Sequence, residues 1–67
     1  MKDYRLILAS STSPDGMALE LDSADGEQVA EVFEDDSTKQ RTVKFYTDQP
    51  VPLEAIEWLL ERARESL

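Results

Sequence analysis

Residues 17–34, MALELDSADGEQVAEVFE, decide the fold. From Met17 to Asp22 the residues alternate, with Met17, Leu19 and Leu21 on one side and Ala18, Glu20 and Asp22 on the other. Successive side chains of a strand point to opposite faces, so this is the pattern of a half-buried strand. Asp25-Gly26 follows, a dipeptide favoured in tight hairpin turns because it tolerates positive φ. Gln28 to Glu34 then reads as the returning strand.

With Asp25 and Gly26 as a two-residue turn, Ala24 faces Glu27, Leu21 faces Ala30 and Leu19 faces Val32. Apolar meets apolar. A four-residue loop keeps this parity, whereas a three-residue loop would set Leu19 against Glu31 and turn the whole strand over. An even loop is therefore expected.

Toward the C-terminus, Asp35 to Gln40 has the composition of a loop, and Arg41 to Thr47 reads as a fourth strand. Setting Glu34 opposite Arg41 pairs Val32 with Val43 and Ala30 with Phe45 on one face. The other face then pairs Glu31 with Lys44 and Val29 with Tyr46, so charge and hydrophobic matching select one register.

Toward the N-terminus, Tyr4 to Ala9 is rich in β-formers, and Ser10 to Gly16 reads as a hairpin loop. Pro14 suits the second position of a type I turn, and Gly16 the positive-φ position after it. Consecutive Leu6, Ile7, Leu8 and Ala9 leave two orientations of this strand open. Either Tyr4, Leu6 and Leu8 or Arg5, Ile7 and Ala9 face inward.

Residues before proline avoid the α region, which holds Asp48-Gln49-Pro50-Val51-Pro52 extended. Pro52 suits a helix start, and a helix is expected from there to Ser66. Glu54 and Glu57 in its early turns and Arg62 and Arg64 near its end complement the macrodipole. Leu53, Ile56, Leu59, Leu60, Ala63 and Leu67 fall on one stripe about 120° wide. One helix shields one face of a sheet, so the expected inner face is Met17, Leu19, Leu21, Ala30, Val32, Val43 and Phe45. The fold class is α+β: one domain over residues 1–67, in two layers. A four-stranded antiparallel meander in the order β-β-β-β-α carries one C-terminal helix on one face.

Composition bounds function. The 67 residues contain no Cys and no His, which removes disulfides, thiolate metal sites and the commonest catalytic base. Small secreted domains usually depend on disulfides, so a cytoplasmic location is expected. The apolar run Leu6 to Ala9 is shorter than the roughly 7 to 15 residues of a signal peptide core, and no segment reaches membrane-spanning length. The formal charge of −8 argues against nucleic-acid and anionic-membrane partners.

No nucleophile with a base, phosphate-cradling glycine loop or paired acid stands at a motif spacing, so no catalysis and no cofactor are expected. A pocket of roughly 300 to 1,000 Å³ would consume much of so small a core. Asp22 to Glu27 superficially has the opening of a calcium loop. Ala24, at the third position where that pattern needs an oxygen ligand, and the flanking strands rule it out, so no metal site is expected.

What remains is surface. The uncovered sheet face would display Ala18, Val29, Phe33 and Tyr46 among charged residues, more apolar than a solvated face requires. A homodimer through that face is the expectation. Trp58 falls nearly opposite the helix stripe, between Glu54 and Arg62, where Arg62 could also lie over its ring. With the carboxylate ridge Glu54, Glu57, Glu61 and Glu65 it forms a candidate docking strip for a basic protein. The functional expectation is a small acidic protein-interaction module that self-associates. The alternative is an acidic inhibitor, of immunity type, neutralising a basic, nuclease-like partner.

Overall fold

Alternation and turn chemistry produce the expected order. The computed structural model describes residues 2–12 and 15–67. Its elements are β1 (Tyr4–Thr12), β2 (Asp15–Ser23), β3 (Gln28–Asp35), β4 (Arg41–Phe45) and α1 (Leu53–Ser66). The strands form one antiparallel sheet in the order β1-β2-β3-β4, with α1 packed on one face. The β3–β4 register is the one charge matching selects, with Glu34 opposite Arg41, Glu31 opposite Lys44 and Ala30 opposite Phe45.

The β2–β3 hairpin reaches the expected register by an unexpected route. The Ser23 N–H donates to the Glu27 carbonyl at 2.8 Å and the Gly26 N–H to the Ser23 carbonyl at 3.0 Å. Ala24, Asp25 and Gly26 therefore form a three-residue loop, with Gly26 at φ 90°. This is the odd loop that alternation alone rejects. A β-bulge restores the parity: Asp22 pairs with Gln28, but Leu21 pairs with Ala30 and Leu19 with Val32. The extra residue is Val29. It joins the core, not the open face where strict alternation places it.

Pairing with β2 also fixes the orientation of β1. Leu6 lies opposite Leu21 and Leu8 opposite Leu19, so Tyr4, Leu6 and Leu8 share the helix side. Arg5, Ile7 and Ala9 belong to the open face. Gly16 sits within β2 opposite Ser11, not in a turn, and the turn position expected for Pro14 lies outside the described residues.

The helix is rolled relative to the leucine-rich stripe. Ala55, Leu59 and Ala63 are its buried residues, flanked by half-buried Ile56 and Trp58, while Leu53 is 71 % exposed. At ~100° per residue, the buried stripe is centred on Leu59, about 60° from the expected centre at Ile56. The reason is steric. Two alanines one turn either side of Leu59 let the helix backbone approach the sheet, which larger side chains at those positions would prevent. Leu19, Leu21, Val29, Ala30 and Val32 supply the opposing surface.

Rolling has a second effect. The helix lies on β1, β2 and β3 and leaves β4 uncovered. Val43 and Phe45, expected in the core, are 44 % and 53 % exposed.

Candidate functional site

The face of the sheet away from α1 carries a shallow concavity of about 510 Å³. The volume is within the range of ligand sites, contrary to the expectation from chain length, because the space lies over the sheet and takes nothing from the core. Its apolar lining is Ala9, Ala18, Phe33 and Tyr46, and its charged lining is Glu20, Glu31 and Lys44.

Adjacent strands place these residues. Ala18 pairs with Phe33 across β2 and β3, and Glu20 pairs with Glu31. Phe33 is half-buried because its ring lies across Gly16, on the diagonal neighbour in β2. A Cβ on Gly16 would overlap both that ring and the Glu34 carbonyl, so glycine is required here for close approach. The ring is thereby held close against β2 where it lines the concavity.

Electrostatically, the centre of the face is unresolved repulsion. Glu20 and Glu31 stand directly opposite each other. Like charges in that position destabilise a sheet. Burial first, then the charges of Asp22 and Glu31, raise the Glu20 pKa above the ordinary carboxylate value. Glu31 is held by two neutral donors, Tyr46 Oη at 3.2 Å and Gln28 Nε2 at 3.2 Å. Among the described residues neither Glu20 nor Glu31 has an ion-pair partner.

Lys44 could neutralise the pair, yet its Nζ lies 5.1 Å from the centroid of the Tyr46 ring as a cation–π contact. Desolvation first, then the charge of Glu31, raise the Tyr46 pKa above the ordinary phenol value. Asp22 adds to the acidity. It is 8 % exposed, and its Oδ1 has no hydrogen-bond partner among the described residues. The same residues include no group of three or more His, Cys, Asp or Glu arranged for a metal ion.

Of the residues expected on this face, the structure brings together Phe33, Tyr46 and Ala18, with Ala18 buried in the floor. Val29 is absent from it, carried into the core by the bulge. Ala9 and Ile7 are additions that an unoriented first strand could not supply.

The helix strip is changed more. Trp58 is half-buried and packs against the core, on the flank of α1 opposite Leu60, where the roll has carried it. It is not free on the outer side. Arg62 does not cover it; its Nε lies 3.6 Å from Glu65 Oε1. Glu54, Glu57, Glu61 and Glu65 are exposed, as a solvated ridge beside the indole edge.

Among the described residues no helix is long and apolar enough to cross a membrane. Comparison with protein-family models, curated proteins and solved structures finds no match for this chain.

Proposed function

We propose that the chain is a cytoplasmic protein-interaction module without catalytic activity, whose open sheet face receives a basic segment of a partner protein. The observation that supports this is the opposed Glu20 and Glu31, unneutralised within a concavity walled by Phe33 and Tyr46. A Lys or Arg from a partner would relieve their repulsion, and its aliphatic stem would lie along the aromatic rings. The same pair argues against stacking two copies through this face, since four carboxylates would then converge.

Selection of displayed random peptides on the immobilised protein tests the reading. Sequences enriched in Lys and Arg, losing binding on Glu31→Gln and with added salt, are expected. Selected peptides without a basic bias, or indifferent to that substitution, would rule it out.

A second reading is the acidic inhibitor of a basic, nuclease-like partner. The exposed ridge Glu54, Glu57 and Glu61 favours it, because these carboxylates have no ion pair among the described residues. Loss of inhibition on charge removal from α1, with none on Glu31→Gln, would separate it from the first.

A further inference from the structure

We infer that β4 pairs with β4 of a second copy across a two-fold axis, continuing the sheet between two protomers. This surface is separate from the open-face concavity, and the inference stands whatever that face binds.

The backbone sets the geometry. The Asp35 N–H bonds to Gln40 O at 3.0 Å and the Tyr46 N–H to Val29 O at 2.8 Å. Bonded and non-bonded pairs alternate along an antiparallel ladder, so Thr42 and Lys44 direct their backbone groups to β3. Arg41, Val43 and Phe45 direct theirs away, along an edge that no strand among the described residues covers. An uncovered edge with this much apolar side-chain surface is normally blunted or paired.

The occupant follows from self-complementarity. Centred on Val43, antiparallel pairing sets Val43 against its own copy and Arg41 against Phe45 of the other, in both directions, as an isologous contact requires. The Arg41 guanidinium donates to Glu34 and to the Leu67 carbonyl of its own protomer, so the pairing would set its aliphatic stem beside the Phe45 ring of the other copy. In a chain of charge −8, β4 contains no Asp or Glu. Its Arg41 is already neutralised by Glu34 at 2.8 Å. A second copy therefore approaches with less repulsion here than along the acidic surfaces.

The helix side supplies area. A groove of about 150 Å³ runs between α1 and β4, lined by Val32, Val43, Leu60 and Ala63. Leu53 lies on the same side of α1, two turns toward its start. Leu53, Leu60, Val43 and Phe45 are all exposed. Joining two copies at β4 brings these residues from both protomers together in the gap between the two helices. A standard interface needs about 800 Å² per copy, roughly a sixth of the 4600 Å² surface.

Sedimentation velocity on the whole chain from about 1 to about 500 µM tests the inference. Val43→Pro removes an outward N–H that β3 does not use, and Val43→Lys places a charge in the shared gap without touching the backbone. The wild type is expected to reach twice the monomer mass. Both variants should keep the wild-type far-UV spectrum and weaken association at least about tenfold. A wild type that stays monomeric throughout overturns the inference. So does a dimer that both variants preserve; loss of that dimer on Tyr46→Ser would place the contact on the open face.

Discussion

The ring of Phe33 rests on the backbone of Gly16, so the strand position that lacks a side chain is filled from the neighbouring strand. One wall of the concavity thus depends on an absent Cβ. Gly16→Ala should destabilise the fold by about 1–3 kcal/mol, the range for overpacking a fitted site. Because the Glu34 carbonyl is equally close, much of the loss should persist in a Phe33→Ala background. Urea unfolding of the four species would show it, and full rescue by Phe33→Ala would leave the ring as the sole obstacle.

Glu20→Gln should stabilise the protein at neutral pH. The folded-state pKa of Glu20 is raised, so ionisation works against folding and the stability associated with its protonated form is lost as pH rises. A directly opposed like-charge pair accounts for about 0.2–1 kcal/mol, or roughly 1–8 °C in Tm for a domain of this size. Thermal melts should show the gain at pH 7 and its decline toward pH 4. An equal gain at both would exclude a charge origin.

Val29→Ala should remove about 2 kcal/mol, since two methyl groups leave a closed core. A valine on a solvated face would lose less than about 0.5 kcal/mol. Denaturant midpoints therefore distinguish the bulged hairpin from a regular one.

Acid should loosen the β3–β4 loop. Asp35 accepts the N–H groups of Ser37 at 2.8 Å and Thr38 at 3.0 Å, and the Thr38 bond foremost lowers its pKa. Its contribution is present above the unfolded-state value of about 3.9 and lost as pH falls through the lower folded value. With no His to titrate, little should change between about pH 6 and 8. Amide exchange at Ser37 and Thr38 should accelerate as pH falls below the ordinary Asp value, relative to other exposed amides, and Asp35→Ala should abolish that dependence.

Strand order, both inner registers and the helix were legible because alternation, charge pairing and proline placement all pointed the same way. Leu19 against Val32 illustrates this: the apolar match required that pairing whatever the loop did. The loop length was not legible, because a bulge at Val29 changes parity without leaving a mark in the hydrophobic pattern. The roll of α1 was obscured for a different reason. Counting leucines favours Leu53 and Leu60, whereas close approach is decided by where the small residues are, Ala55 and Ala63. On the open face, Phe33 and Tyr46 were visible as apolar residues that alternation turns away from the helix. Ile7 and Ala9 needed the orientation of β1, which four consecutive apolar side chains conceal.

The seating of Trp58 against the core gives the protein an optical reporter. It is the chain's one tryptophan, and it lies half-buried where the two layers meet. Its fluorescence therefore records whether the layers are together, while far-UV circular dichroism records the strands and helix themselves. If the two signals change at one denaturant concentration, the layers separate only as the sheet melts; a red shift arriving earlier would reveal a helix that lifts away from an intact sheet.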